Sequence, residues 1–217
     1  MFDLRAALLK AFQETALMSG VSLLTAVIVG GALGLLLYAT NSRLFIRNRI
    51  INQTAGTVIT VVRSIPFLIL LVLLLPLSKV VVNTTIGPTA VVIPLSIAAI
   101  AFFARLADAS FSDVNQGVIE AAISTGASKW AVITLILLPE ALPSLVRNVT
   151  VTAVSLIGFS AMAGTVGGGG IGDLAIRYGY QRYQTDVMLI SVALLILLVQ
   201  GIQLLGDLIA RMLDKKR

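Results

Sequence analysis

Long runs without a single charged residue constrain this chain more than any other feature. No charge occurs between Glu14 and Arg43, and residues 21–38 are almost wholly apolar. At about 1.5 Å per residue, a helix of that length crosses a hydrocarbon core of about 30 Å. The composition agrees, because 58% of residues are hydrophobic and 12% are charged, against about 45–50% and about 25% in soluble domains. The sequence therefore predicts an all-α integral membrane protein.

Five membrane spans account for these runs. Residues 64–104 contain one charge, Lys79, and the polar turn-like stretch 83–88 divides them into two spans. Two further uncharged runs cover residues 148–172 and 187–206. The predicted spans are about 16–40, 62–79, 88–108, 145–167 and 187–210, all within a single domain, 1–217.

Two clusters of basic residues predict the orientation of the spans. The first is Arg43, Arg47 and Arg49, after the first span, and the second is Arg211, Lys215, Lys216 and Arg217, at the end of the chain. Cytoplasmic loops carry an excess of Lys and Arg. With five spans, this rule predicts an N-terminus outside, a C-terminus in the cytoplasm and a cytoplasmic segment 113–143. The same rule explains the net charge of +6, because the basic residues lie in loops beside the lipid bilayer. No nucleic-acid partner is expected.

The residues that the sequence lacks limit its chemistry. It has no cysteine and no histidine, which excludes disulfides, thiolate nucleophiles and imidazole metal ligands. No charged residue lies in the middle of a span, whereas ion-coupled carriers usually bury such groups. We expect no catalytic residue, no metal and no cofactor on this chain. Five helices also suggest an oligomer with the solute pathway at its interface.

The longest segment between spans, residues 105–147, has the pattern of two short helices joined by a turn. Ile119, Ala122 and Ile123 recur at helical spacing, and Gly126 permits a positive φ or a close backbone approach. We expect prolines 139 and 143 to break the chain before the fourth span. On this pattern alone, the segment could be an amphipathic hairpin that only tethers two spans.

A motif in this segment is more specific than its periodicity. It runs Glu120-Ala121-Ala122, three residues, Gly126, nine residues, Ile136, one residue and Leu138-Pro139. This spacing resembles the EAA loop of ABC importer permeases at every specified position. The resemblance implies a coupling helix that docks on a separate cytoplasmic ATPase. The coupling residues it implies are Glu120, Ala121, Ala122, Gly126, Ala127, Ser128 and Pro139.

The resemblance extends to other parts of the chain. Residues 63–67 (RSIPF) and 160–188 are similar to the methionine branch of these permeases. This implies the type I ABC importer transmembrane fold, in the bacterial cytoplasmic membrane. It also implies a homodimer of this chain, two ABC ATPase subunits that bind ATP and Mg²⁺, and an extracytoplasmic substrate-binding protein or lipoprotein. The chain itself has no G-x-x-x-x-G-K-[ST] motif, so the ATP site is expected on the partner.

Four consecutive glycines near the end of the fourth span form a candidate gate. Gly167, Gly169 and Gly172 match G-x-G-x-x-G, but no βαβ unit surrounds them, which argues against a dinucleotide site. We expect the glycines to end the span near the outer face. The gate and pathway candidates are Phe159, Met162, Gly167, Gly168, Gly169 and Gly170. The alternative role for Phe159 and Met162 is packing in the core or against lipid. Gly30 and Gly34, four residues apart in the first span, are explained by close packing of helices.

Three alternatives to a methionine importer permease stay open on the sequence. The chain could serve an importer of another amino acid or small solute by the same mechanism. It could instead be a subunit of an ion-coupled carrier or channel, although no inverted repeat is visible. The third alternative is a structural assembly protein without a transport role.

Overall fold

The structure is a computed structural model that describes residues 4–42 and 45–214. Within these two ranges the chain forms eight helices and no strand. They are α1 (Leu4–Asn41), α2 (Arg49–Ser64), α3 (Phe67–Val82), α4 (Pro88–Ser112), α5 (Gln116–Ser124), α6 (Lys129–Gly164), α7 (Gly170–Leu174, extended by a π-helical segment Ala175–Tyr180) and α8 (Thr185–Leu213).

The all-α membrane architecture is confirmed. Four helices, α1, α4, α6 and α8, are long and apolar enough to cross a membrane, and the bent pair α2–α3 supplies a fifth crossing if it is one span. Helix α4 is central, since it packs against α1, α2, α3 and α6. Many large apolar side chains on α1, α3 and α8 are exposed, which suits a surface covered by lipid.

Helices α1 and α4 pack with their backbones in contact. A Cβ atom on Gly34 would lie 2.6 Å from the Ala107 Cβ, and one on Gly30 would lie 2.8 Å from the Ile100 carbonyl oxygen. Real Cβ atoms do not approach other atoms that closely, so both positions require glycine. The prediction that this glycine pair serves helix packing is confirmed.

The sequence does not predict helix α2. Its pattern assigns these residues to the basic loop after the first span and to the beginning of the second span. Asn48 caps it by accepting a hydrogen bond from the Ile51 N–H at 3.1 Å. Ile59 is buried against Leu37 of α1. The chain then turns by 108° into α3, because Pro66 has no N–H to continue α2.

The expected break at prolines 139 and 143 is wrong. Helix α6 runs without interruption from Lys129 to Gly164, through both residues. A π-helical segment, Ile133–Leu137, lies immediately before Pro139. Such a segment holds one extra residue in a turn and moves the carbonyl that the proline ring would otherwise strike. The fourth span and the second half of the EAA motif therefore belong to one helix.

Two contacts mark the ends of the bundle: the glycine end, which holds residues 167–170, and the loop end, which holds the segment between α4 and α6. At the glycine end, the Gly87 N–H donates to the Gly167 carbonyl at 2.9 Å. At the loop end, Arg147 pairs with Asp214 at 3.4 Å. Leu4 packs at the glycine end, so the first and last described residues lie at opposite ends, as an odd number of crossings requires. The inside–outside orientation stays a prediction, and residues 43 and 215–217, on which it partly depends, lie outside the described ranges.

Candidate functional site

The EAA motif begins on a short helix that presents one face to solvent. Asn115 caps α5 by accepting a hydrogen bond from the Gly117 N–H at 2.9 Å. Ile119 is completely buried, and Ala122 packs against the same apolar core. Glu120 and Ala121, on the opposite side, are exposed. The helix is therefore seated by its apolar side and leaves Glu120 and Ala121 accessible to a partner.

Gly126 ends this helix. Its φ is +87°, and the Ala127 N–H donates to the Ala122 carbonyl while the Gly126 N–H donates to the Ile123 carbonyl. This pair of bonds is the Schellman motif, which places glycine in the left-handed conformation. A Cβ on Gly126 would meet nothing within 4 Å. Within this chain, the glycine is required by its φ and not by a close approach.

The next helix starts two residues later. The exposed Ser128 accepts a hydrogen bond from the Ala131 N–H at 3.2 Å and so caps α6. Pro139 is exposed further along α6, where it lines a cavity of about 320 Å³ together with Ser110 and Asp214. The motif thus spans the end of one helix and the first turns of another.

Two contacts that the sequence did not suggest tie this loop to the end of α1. The Gln116 side-chain amide donates to the Tyr38 hydroxyl at 3.4 Å, and Lys129 Nζ donates to the Phe45 carbonyl at 2.7 Å. The Tyr38 ring also packs against Phe45 and Phe111, with centroids 5.8 Å and 6.1 Å away. Nothing in the local sequence of Tyr38, at the end of an apolar run, marked it as part of the site.

At the other end of α6, the glycine loop (residues 165–169) follows Gly164. Gly167, Gly169 and Gly170 have φ values of +82°, +78° and +83°, a conformation that other residues rarely adopt. Gly168 is buried, and a Cβ there would lie 2.7 Å from the Ala163 carbonyl oxygen. As expected, the glycines follow directly on the end of the fourth span.

Two side chains of α1 hold the residues that follow this loop. Glu14 Oε2 accepts a hydrogen bond from the Gly170 N–H at 2.8 Å, and Thr15 Oγ1 accepts one from the Ile171 N–H at 2.9 Å. A Cβ on Gly169 would lie 2.6 Å from Glu14 Oε2. Sequence reasoning missed both residues because they lie 156 positions away from their partners.

A cavity of about 490 Å³ lies beside this contact, lined by Glu14, Gly169, Asp173 and Arg177 among others. Arg177 pairs with Asp173 at 2.7 Å. Burial raises the pKa of Asp173 above its usual range; the Arg177 charge opposes this shift and the Glu14 charge adds to it. The glycine end therefore holds acidic and basic groups next to its glycine backbone.

The two apolar gate candidates occupy different surroundings. The Phe159 ring stacks on Phe67, at the start of α3, with centroids 4.7 Å apart. Met162 lies with half of its surface exposed. Their roles as a gate stay predictions. Among residues 4–42 and 45–214, no group of three or more acidic residues could hold a metal ion.

Comparison with known proteins gives one consistent result. Residues 26–217 match the family of binding-protein-dependent transport system inner membrane components. The chain is 44% identical over 209 residues to a probable D-methionine transport system permease protein of Vibrio cholerae, covering 96% of this chain and 93% of that protein. It is 42% identical over 181 residues to a methionine import system permease protein of Bacillus subtilis, covering 83% and 82%.

Solved structures agree with these relatives. One chain of the inward-facing MetNI methionine ABC transporter superposes with a TM-score of 0.96 and 38% identity, over 99% of this chain and 100% of that one. A chain of an amino acid ABC transporter crystallised with histidines has a TM-score of 0.78 at 20% identity, over 98% and 99%, which is a likeness of fold alone.

Proposed function

The chain belongs to the family of binding-protein-dependent transport system inner membrane components, and from this membership we propose that it is the membrane permease subunit of an ATP-driven methionine importer. The observation that carries the proposal is the superposition on a methionine ABC transporter chain over 99% of the residues at 38% identity. Relatives named as methionine permeases at 44% and 42% identity support the same substrate.

In this proposal the chain catalyses no reaction itself. ATP and Mg²⁺ bind to two ATPase subunits, which dock on the exposed side of α5 at Glu120 and Ala121. Small side chains and the turn at Gly126 leave room for close seating, and the Glu120 carboxylate is free to accept charge-assisted hydrogen bonds. Docking at this end makes it the cytoplasmic side of the membrane.

The continuity of α6 supplies a mechanical link between the two ends. Its 36 residues span roughly 54 Å at about 1.5 Å per residue, from the turn after α5 to the glycine loop. An unbroken helix moves as one body. When the ATPases close, a displacement at Lys129 is therefore delivered to Phe159, Met162 and the glycines that follow Gly164. The Gln116–Tyr38 and Lys129–Phe45 contacts carry the same displacement into α1.

The remaining partners follow from the same proposal. A second copy of this chain completes the pathway, because one copy leaves α2 and α3 with exposed faces. An extracytoplasmic binding protein delivers methionine at the glycine end, beside the cavity lined by Glu14 and Arg177. The N-terminus then lies outside and the C-terminus in the cytoplasm, in the bacterial cytoplasmic membrane.

Reconstituted transport tests the proposal. The chain is co-expressed with candidate ABC ATPase and binding-protein subunits from the same organism, purified as a complex and placed in liposomes that contain ATP. We expect labelled methionine to accumulate only with ATP, and unlabelled methionine to compete better than other amino acids. Accumulation driven by an ion gradient without ATP would identify an ion-coupled carrier. ATP-dependent uptake of a different amino acid would keep the mechanism and refute the substrate.

A further inference from the structure

A pocket lies at the break between α2 and α3, and among its lining residues only Phe159 is a gate candidate from the sequence. Its volume is about 290 Å³, near the lower limit of the about 300–1,000 Å³ usual for ligand pockets. Its walls include Arg63, Phe67, Ala98, Phe102 and Phe159. We call it the break pocket.

Arg63, an exposed residue of the pocket wall, adds a positive charge about halfway along the membrane-spanning helix α4. Its guanidinium carbon lies 5.7 Å from the centroid of the Phe102 ring. Phe102 is roughly 21 Å from the Pro88 end of α4, at about 1.5 Å per residue, and α4 has 25 residues. Among the described residues, no carboxylate lies within 4.0 Å of Arg63. A charge at such depth is costly and typically marks a solute pathway.

The backbone at the break adds polar groups of both signs. Helix α2 ends at Ser64, where its last carbonyl groups lack partners within the helix. Helix α3 begins at Phe67, where the N–H groups of Phe67 and Leu68 lack helical acceptors, while the Ile69 N–H already donates to the Pro66 carbonyl at 2.9 Å. A cation is stabilised at the first position and an anion at the second, and broken helices of other transporters bind solutes in this way.

The rest of the pocket is aromatic. Phe67 and Phe159 stack at 4.7 Å, and Phe102 faces Arg63 from α4. Aromatic rings make favourable contacts with a thioether sulfur at about 5 Å. A positive side chain, two helix ends and three rings match the groups of methionine: a carboxylate, an ammonium and a thioether.

We propose that the break pocket binds the amino acid in transit, with its carboxylate on Arg63 and its side chain against the three rings. The inference rests on the proposed function, since it names where the imported methionine is held within the permease. Arg63 is the specificity-determining residue for the carboxylate, and its planar guanidinium can form two parallel hydrogen bonds with that group.

Thiol labelling tests this directly, because the chain has no cysteine of its own. Ala98→Cys places one thiol in the pocket wall. In the complete complex in liposomes, we expect L-methionine to slow the reaction of this thiol with N-ethylmaleimide. Methionine amide lacks the carboxylate and so loses one charge-assisted hydrogen-bonded pair. We therefore expect that about tenfold more methionine amide is required for the same protection.

Variants of two arginines on the same helix give the matched comparison. Arg63→Gln should raise the methionine concentration for half-protection about tenfold and abolish the difference between acid and amide. Arg63→Lys should fall between, because it keeps the charge but loses the second donor. Arg49→Gln, at the other end of α2, should behave as the Ala98→Cys parent.

The outcomes separate this inference from the proposed function. Unchanged half-protection or unchanged discrimination in Arg63→Gln would overturn the assignment of Arg63. ATP-dependent methionine uptake by the Ala98→Cys parent without any protection of its thiol would refute the pocket and leave the importer intact. Absence of methionine uptake by the wild-type complex would refute the proposed function itself.

Discussion

Replacement of Gly126 by alanine, asparagine and aspartate is the sharpest test of the proposed coupling loop. Gly126 has a φ of +87°, and a Cβ there meets nothing within 4 Å. A substitution therefore strains the backbone without a steric clash inside the chain. For alanine this strain is about 1–2 kcal/mol, whereas asparagine and aspartate tolerate the left-handed conformation better.

Asparagine and aspartate have nearly the same shape, so comparison of the two isolates charge. We expect Gly126→Asn to keep ATPase binding and uptake near the wild-type values. Gly126→Ala should weaken both about 5–30-fold, the population change that corresponds to 1–2 kcal/mol. Gly126→Asp should lose more than Gly126→Asn, because it brings a desolvated negative charge to the docking surface.

The assay is methionine uptake and ATP hydrolysis by the reconstituted complex, together with the amount of ATPase that co-purifies with each variant. Thermal unfolding of the permease chain alone serves as the control, since Ile119 and Asn115 should hold α5 in all three variants. Equal uptake by the aspartate and asparagine variants, both at the wild-type rate, would refute the reasoning that this turn faces the ATPase.

Three further predictions concern packing and the glycine end. Thr15→Val leaves the buried Ile171 N–H without its acceptor, so thermal unfolding in detergent should reveal a loss of about 1–3 kcal/mol in the free energy of unfolding; an unchanged midpoint would show that another group accepts this bond. Gly34→Ala forces α1 and α4 apart and should cost about 1–3 kcal/mol by the same measurement, whereas Gly20→Ala, with nothing within 4 Å, should cost nothing; equal effects of the two would contradict the packing argument. The raised pKa of Asp173 means that the folded chain binds the proton more tightly than the unfolded chain, so this residue favours folding below the ordinary carboxyl pKa and loses that contribution as pH rises through the raised value. Asp173→Asn should remove this part of the pH dependence of unfolding, and an identical pH profile in the variant would refute the assignment.

Helix α5 illustrates how much of a local structure follows from the local sequence. Its start, its end and its exposed face all follow from residues within a dozen positions of one another: Asn115 as cap, Ile119 and Ala122 as the buried side, and Gly126 as the terminal residue. Each of these residues acts through contacts inside or next to the helix. These features of α5 therefore do not depend on contacts between distant segments, whereas the role of the motif in coupling stays a prediction.

The prolines show where the same reasoning failed. Proline usually ends a helix, and prolines 139 and 143 were expected to do so. The π-helical segment Ile133–Leu137 lets the helix continue through Pro139. No residue type in that segment indicates a π-helical turn from the sequence. Helix α2 was also difficult to predict from hydrophobic periodicity. Its apolar residues lie on two faces, one packed on α1 and α4 and the other exposed.

The sequence by itself determined that this chain is a bundle of membrane helices with a loop that carries the EAA motif, because hydropathy and motif spacing are properties of short segments. Only the tertiary structure decided what holds the residues after the glycine loop, since Glu14 and Thr15 accept hydrogen bonds from Gly170 and Ile171 across 156 positions. It also decided that Arg63 lies over the Phe102 ring and lines one pocket with Phe67 and Phe159. Such contacts arise from how helices pack against each other, and no periodicity within one segment encodes them.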